Sequence, residues 1–266
     1  MVAHPLKGAT LDDAKKFKWP NPRDQARLEG IKEESSRLAK SDCLVVLGTV
    51  GMTVGLLQTF QWLLGFEDSF YALAAEPELT HYIVGKLAEL DIEFWEWAIP
   101  YLGDDIKVAL YADDFGMQTG PVFSYEMFER YFKSWYAKIF SVIKKQNPGL
   151  YIFFHTCGSS RYVLPDLIES GIDILNPVQF TSKDMDPVQL KKDFGKDITF
   201  WGGGVDTQLV LPRGTVQQVK DEVKKRIDQF GDGGGFIFTT VHNIQPDVPP
   251  ENIMAMWEAL QEYGIY

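Results

Sequence analysis

Cysteine and histidine are both scarce in this 266-residue chain, which contains two Cys and four His. Two cysteines are too few for a network of disulfide bonds, so the sequence favours a reducing, cytoplasmic setting over a secreted one. Because imidazole and thiolate groups are the usual ligands of zinc, the position of each of these six side chains is informative.

The sequence also lacks an excess of positive charge and long apolar runs. It has 26 basic and 37 acidic residues, a net charge of −11, and no basic stripe, so we expect no nucleic-acid binding. No apolar run approaches the length of about 20 residues that spans a membrane. The first residues do not pair a basic segment with an apolar one, as a signal peptide does. These absences predict a cytoplasmic globular protein.

Apolar segments of strand length alternate with segments of helical spacing. Strands buried on both faces and separated by helices predict a parallel sheet with helices outside it. After a leading loop and helix over residues 1–40, we expect one domain, an α/β fold of the (β/α)₈ TIM-barrel type spanning 1–266. Such a barrel has eight strands, so two are expected to be lacking at the beginning. The strands predicted from the pattern are 43–50, 106–112, 150–155, 172–176, 198–202 and 235–241.

The two sheet edges of a six-stranded barrel predict a further property. Unpaired edges invite pairing with another chain, so we expect either a homodimer or an early segment that covers the gap.

Two helices carry recognisable start signals. Ser124 is expected to cap a helix over 125–146, and Thr215 with Gln218 is expected to form a capping box for a later one. The first of these helices has apolar residues spaced four, three and four apart, which predicts one core-facing side. These residues are Phe128, Phe132, Trp135 and Ile139.

Ionisable residues fall at the predicted carboxyl ends of the strands. In a parallel α/β fold these ends gather functional groups. His155 and Cys157 are two residues apart at the end of the third strand, which puts both on one face, and His242 follows the last strand. A catalytic zinc has three protein ligands and an open fourth position. The pattern predicts a zinc site formed by His155, Cys157 and His242; the alternative is a small buried cysteine beside two hydrogen-bonded histidines.

Other polar residues at the same edge are expected to serve the substrate. Asp113 and Asp114 end the second strand and are the predicted catalytic residues; there they could bind substrate, orient a ligating histidine or cap a turn. Cys43 begins the first strand and is expected to be a buried small hydrophobe. The residues predicted to line the substrate site are Asn176, Gln179 and Gln245.

Five stretches carry a family resemblance that covers nearly the whole chain. They are "HPLKGATLDD", "YADDFGMQTGPVFSYEMFERYF", "HTCGSSRYVLPDLIESGIDILNPVQ", "DPVQLKKDFGKDITFWGGGVDTQLVLPRGT" and "HNIQPDVPPENI". Together they resemble the uroporphyrinogen decarboxylase superfamily, whose fold is a (β/α)₈ barrel. One branch of it decarboxylates the acetate side chains of a tetrapyrrole. The other contains zinc-dependent methyltransferases that use a corrinoid carried on a separate protein.

The "HTC" stretch is similar to the methyltransferase branch, whose zinc motif is His-x-Cys followed much later by Cys. Here His242 stands near that later position, which departs from the motif. The arginine-rich segment and the following aspartate of the decarboxylases are not found. The resemblance therefore implies transfer of a methyl group between a methyl ether or a thiol and a corrinoid on a partner protein, with Zn²⁺ as the metal. The alternatives are a uroporphyrinogen decarboxylase and a non-catalytic barrel subunit.

Overall fold

The computed structural model describes residues 3–48 and 54–265. Within them the strands, in chain order, are β1 (Val46–Leu47), β2 (Val108–Ala112), β3 (Gly116–Met117), β4 (Gly120–Pro121), β5 (Tyr151–His155), β6 (Ile174–Asn176), β7 (Thr199–Trp201) and β8 (Phe236–Ile237).

The α-helices of the same residues are α1 (Leu11–Lys16), α2 (Ile31–Leu38), α3 (Leu56–Leu64), α4 (Phe66–Ala75), α5 (Pro77–Leu102), α6 (Tyr125–Phe128), α7 (Ser134–Gln146), α8 (Leu164–Ser170), α9 (Pro187–Phe194), α10 (Val210–Arg213), α11 (Val216–Phe230) and α12 (Pro250–Tyr263). A π-helical segment covers Glu129–Lys133, and 3-10 turns cover Gln25–Arg27, Gly103–Asp105 and Arg161–Val163. None of the helices described combines the length and the apolar composition that crossing a membrane would need.

Six of the strands form one sheet in the order β1-β2-β5-β6-β7-β8, and β3 with β4 forms a short antiparallel hairpin. The pairs β1/β2, β6/β7 and β7/β8 are parallel. The six predicted strands and the α/β fold of the TIM type are therefore confirmed. The first strand is shorter than predicted, and residues 49 and 50 of its predicted range lie outside the described residues. The last strand ends at Ile237 rather than at residue 241.

The chain divides into two compact units. In the first unit α5 packs against α3, α4 and α7, and in the second unit α11 packs against α9 and α12. The first unit consists of Met1–Asp114, Phe123–Phe153 and Val163–Ile172. The second consists of Phe115–Val122, Phe154–Tyr162 and Asp173–Tyr266.

The predicted helix starts are confirmed. The Ser124 side chain accepts a hydrogen bond from the Met127 N–H at the start of α6. Thr215 and Gln218 form the reciprocal hydrogen bonds of a capping box at the start of α11. Helix starts are set by neighbouring residues, so the sequence alone specifies them.

The middle of the helix over 125–146 differs from the prediction, because a π-helical segment joins α6 to α7. Four of its fully buried aromatic residues recur every four positions, at Phe128, Phe132, Tyr136 and Phe140. An α-helix turns about 100° per residue, so each step of four residues over-rotates by about 40°. The wider π turn compensates and keeps these rings on one side. Trp135, predicted to face the core, is therefore only half-buried.

The prediction that Cys43 is buried at the start of a strand is wrong. Cys43 is exposed, and β1 begins only at Val46. Its neighbour Leu44 is 53% exposed. An apolar run in the sequence therefore does not by itself predict a buried strand, because burial also requires another segment to pack over it.

Candidate metal and substrate site

His155 lies at the carboxyl end of strand β5. The apolar residues Ile152, Phe153 and Phe154 are buried, and His155, the last residue of the strand, is half-buried. Gly158 then turns the chain with a φ of 75°, a left-handed conformation that favours glycine. This turn leaves the half-buried Cys157 beside the histidine.

The ring of His155 is oriented by Asn176 at the end of β6. The side-chain NH₂ of Asn176 donates to the Trp201 carbonyl at 2.8 Å, so its Oδ1 faces His155. The His155 Nδ1 lies 2.7 Å from that oxygen. An amide oxygen can only accept, so Nδ1 is the protonated nitrogen of the neutral ring and Nε2 keeps its lone pair.

The second ring nitrogen of His155 lies beside Cys157. Its Nε2 lies 3.3 Å from the Cys157 Sγ. An imidazole nitrogen and a thiol sulfur, both common zinc ligands, therefore lie side by side. Histidines that bind metals are usually oriented by a hydrogen bond from their other ring nitrogen, and Asn176 accepts such a bond here.

The turn after Cys157 is held by the hairpin of β3 and β4. The Ser159 N–H donates to the Met117 carbonyl at 2.9 Å. A Cβ added to Gly116 would lie 2.3 Å from the Ser159 nitrogen, and one added to Gly158 would lie 2.4 Å from the Gly116 carbonyl carbon. The two backbones thus meet where neither residue has room for a side chain.

Gln179, predicted to line the substrate site, is engaged through both ends of its amide. Its Oε1 accepts from the Gly158 N–H at 2.8 Å, and its Nε2 donates to the Gln118 Oε1 at 2.9 Å. Gln118 in turn donates to the Thr181 carbonyl at 2.6 Å. Gln179 therefore supports the turn that follows Cys157, while its contact with a substrate stays a prediction.

Asp114 follows β2 and is half-buried. Its carboxylate is a donor of a type that zinc accepts. Its predicted role at the site stays a prediction.

His242 and Gln245 do not join this group. Both side chains are exposed in the loop after β8, which ends five residues before His242. The carbonyl of His242 accepts from the Thr240 hydroxyl, and the amide of Gln245 donates to the Asn243 carbonyl. Their site roles were predicted from a longer strand, and they stay predictions.

Asp113, the other predicted acid, caps a helix. It is 1% exposed, and its carboxylate accepts from the N–H groups of Leu57 and Gln58, at 2.8 and 2.7 Å, in the first turn of α3. The Tyr136 hydroxyl is its third donor. A Cβ on Gly55 would lie 2.4 Å from the Asp113 side chain, so the glycine makes this approach possible.

Burial dominates the electrostatics of Asp113. It raises the pKa of the carboxyl to about 7, although the hydrogen bonds from Tyr136, Leu57 and Gln58 act in the opposite direction. The carboxylate is engaged by these three donors, and its predicted catalytic role stays a prediction.

Two residues with notable contacts or electrostatics were not predicted from the sequence. Gln118 lies in the hairpin, where only the turn residues of "GMQTGP" signal a loop. Asp91 lies within α5, and burial, followed by the charge of Asp113, raises its pKa to about 8. Neither has a neighbour in sequence that would mark it.

Comparison with known proteins identifies the family. The family model described as uroporphyrinogen decarboxylase (URO-D) matches residues 1–263. Uroporphyrinogen decarboxylase of Legionella pneumophila (strain Lens) is 28% identical over 197 residues, which are 74% of this chain and 52% of that protein. The enzyme of Geobacter sulfurreducens is 24% identical over 264 residues, which are 97% of this chain and 71% of that protein. The chain spans about half the length of the Legionella relatives that it matches.

A solved structure shows the same fold. A methyltransferase from Methanosarcina mazei superposes with a TM-score of 0.73 at 20% sequence identity, covering 99% of this chain and 72% of that one. At this identity the likeness shows the fold alone. With the family match over nearly all of its residues, the chain belongs to the uroporphyrinogen decarboxylase (URO-D) family.

Proposed function

We propose that this chain is a zinc-dependent methyltransferase component, which transfers a methyl group between a methyl ether or a thiol and a corrinoid carried on a partner protein. One observation carries the proposal: Asn176 fixes the ring of His155 so that its unprotonated nitrogen faces the thiol of Cys157. A decarboxylase without a metal has no need of this pairing.

The donor set fits zinc in its chemistry and its spacing. Zinc–nitrogen bonds of about 2.0–2.1 Å and zinc–sulfur bonds of about 2.3 Å at a tetrahedral angle put the two ligand atoms about 3.6 Å apart. The Nε2 and Sγ atoms lie 3.3 Å apart, close to that separation. The third donor is either Asp114, whose carboxylate zinc accepts, or His242, which stands near the later position of the family motif.

Bound zinc would supply Lewis acidity, which stabilises negative charge on an ether oxygen or a thiol sulfur. In the thiol direction, a sulfur electron pair of the substrate would form the new carbon–sulfur bond with the methyl group supplied by the partner's corrinoid, which would keep the electron pair of the bond that breaks, and the thiol proton would pass to solvent. In the ether direction, the methyl group would pass to the corrinoid, and the ether oxygen would leave with its electron pair and gain a proton. Asn176 and Gln179 hold His155 and the turn after Cys157 in place throughout.

The first experiment measures the metal. Purified protein supplemented with zinc should contain about one zinc per chain by elemental analysis. Cys157→Ala and His155→Ala should lose most of it, because each removes one of the paired donors. Cys43→Ala is the matched control and should keep it, since Cys43 is exposed and three residues before β1. Equal zinc in all these variants, or none in the unsubstituted protein, would refute the site.

Two further variants identify the third ligand. Asp114→Asn should lower the zinc content and His242→Ala should not, if the carboxylate of Asp114 is the third ligand. The reverse result would favour the ligand expected from the sequence motif.

The second experiment measures the reaction. Anaerobic protein with methylcobalamin and a thiol should form cob(I)alamin, followed by its absorbance, and Cys157→Ala should not. Uroporphyrinogen decarboxylation is the second candidate, favoured by the names of the curated relatives. Coproporphyrinogen formed by metal-free protein, with no methyl transfer, would replace our proposal with it. Binding of a corrinoid protein without either reaction would favour the non-catalytic subunit.

We propose the cytoplasm as the location, where two cysteines that form no disulfide bond stay reduced. A homodimer stays a prediction, to be tested by light scattering of the whole chain.

A further inference from the structure

The first unit contains a cavity of about 330 Å³ that the proposed methyl transfer does not use. Three stretches line it: the N-terminal loop, α3 with the residue pair before it, and α5. Most of its wall is apolar, and several of its residues are half-buried, so the cavity is open to solvent. Its lining residues that matter below are Arg27, Trp62, Asp91 and Phe94.

The carboxyl of Asp91 is the unexplained group in this wall. In the part of the chain that the structure describes, it has no hydrogen-bond or ion-pair partner. Asp113, the neighbouring acid, accepts three hydrogen bonds. Asp91 is half-buried, and its carboxyl, which has no partner among the described residues, is left to water or to a ligand for its hydrogen bonds and counter-charge.

The side chains that line the cavity indicate which class of ligand it would bind. Trp62 and Phe94 present aromatic rings, and aromatic faces attract organic cations. Hard metal ions are a poor match, because Ca²⁺ requires about six to eight oxygen ligands and one carboxylate supplies at most two. The cavity lies at the small end of ligand pockets, which span about 300–1,000 Å³. Among the described residues of the wall, Arg27 is the one cationic group; its Nε donates to the Asn21 carbonyl, and it makes no ion pair with Asp91.

We propose that this cavity binds a small organic ammonium ion, with the charge against the Asp91 carboxylate and the alkyl groups against Trp62 and Phe94. The site is separate from the donors proposed for zinc and does not depend on them.

The test uses tetramethylammonium as the probe and the whole chain as the protein. Isothermal titration calorimetry at constant ionic strength should show saturable binding of tetramethylammonium. The neutral molecule of similar size, 2-methylpropan-2-ol, should bind at least tenfold more weakly, because it lacks the charge. Acetate tests whether Arg27 makes this an anion site instead. Equal affinity for the alcohol, stronger binding of acetate, or no saturable binding of tetramethylammonium would overturn the proposal.

Asp91→Asn tests the carboxylate directly. It should weaken tetramethylammonium binding at least tenfold while the far-ultraviolet circular dichroism is unchanged. Glu93→Gln is the matched control on the same helix: it removes an exposed carboxylate two residues away and should leave the affinity unchanged. Equal affinities of the Asp91→Asn and Glu93→Gln proteins would overturn the proposal. If Asp91→Asn fails to fold, the comparison between the ammonium ion and the alcohol on the unsubstituted protein still decides it.

The pH dependence adds a second readout on the same protein. Binding requires the ionised carboxyl, so affinity should rise about tenfold per pH unit up to about pH 7 and level off above about pH 8. The groups that face Asp91 are Asp113 and Tyr111 from β2, Tyr136 from α7 and Arg27 from the N-terminal loop. Both tyrosines have a pKa raised by burial and stay neutral in this range. Affinity that is flat from pH 6 to 9 would overturn the assignment to Asp91.

Discussion

Replacing Asp91 by Asn should change how the stability of the protein depends on pH. The folded state raises the pKa of Asp91 from 3.8 to about 8, through burial first and the charge of Asp113 second. Between those two values the folded chain holds a proton that the unfolded chain has released. The free energy of unfolding contributed by this group therefore falls as pH rises from about 4 to about 8, and is constant outside that window.

The magnitude follows from the shift in the pKa of Asp91. Each pH unit within the window corresponds to about 1.4 kcal/mol, so Asp91 should cost about 4 kcal/mol between pH 4 and pH 7. Asn has nearly the same size and cannot ionise. The stability advantage of Asp91→Asn over the unsubstituted chain should grow by that amount over the same range. Asp113, whose pKa is raised to about 7, acts with the same sign in both proteins.

Urea unfolding at pH 4, 5, 6, 7 and 8, without any organic cation in the buffer, measures this difference. Glu93→Gln serves as the control and should parallel the unsubstituted protein, because its side chain is exposed. A difference between Asp91→Asn and the unsubstituted chain that does not change with pH would show that Asp91 is ionised in the folded protein and would refute the reasoning.

Two predictions concern the support of the proposed metal site. Asn176→Leu removes the acceptor that fixes the His155 ring and should weaken zinc binding about 10- to 100-fold, measured by competition with a chelator. Gly116→Ala introduces a methyl group that overlaps the backbone at Gly158 and Ser159, so it should destabilise the protein by about 1–3 kcal/mol and weaken zinc binding as well.

Matched variants separate these effects from general damage. Asn243→Leu changes an exposed asparagine after β8 and should leave zinc affinity unchanged. Gly149→Ala should be tolerated, because the nearest atom to its added Cβ is a side-chain oxygen of Asn147 at 3.3 Å. Unchanged zinc affinity in Asn176→Leu would mean that the His155 ring is held by other contacts. A Gly116→Ala protein as stable as Gly149→Ala would mean that the turn after Cys157 can move aside.

Most of the fold was predictable from local sequence patterns. The six strands were recognisable because each is a short apolar run between helical patterns, and the caps at Ser124 and Thr215 involve residues three positions apart. The end of the last strand was not recognisable, because "GFIFTTV" stays apolar or β-branched beyond Ile237. This error led to the expectation that His242 lies at a strand end.

The site was predictable only in part for a related reason. His155 and Cys157 are two residues apart, so a strand alone places them together. Asn176 was expected at a neighbouring strand end, but its hydrogen bonds to His155 and to the Trp201 carbonyl depend on the register of three strands. The contact between Gly116 and Gly158 depends on how a hairpin packs, which no local pattern encodes.

The π-helical segment between α6 and α7 has a consequence for insertions and deletions. Tyr136 reaches Asp113 only because the wider turn at Glu129–Lys133 sets the rotation of α7. A π turn holds one residue more than an α turn, so removing one residue from it would leave a regular α-helix with α7 facing the same way. Tyr136 would then still reach Asp113. Regular α-helical geometry over the full length of the segment would instead rotate everything after it by about 100°, and the hydroxyl of Tyr136 would point away from Asp113 without any change of its own identity. A one-residue gap at this segment in an alignment is therefore compatible with the contact, and the π turn is what allows the longer segment to keep it.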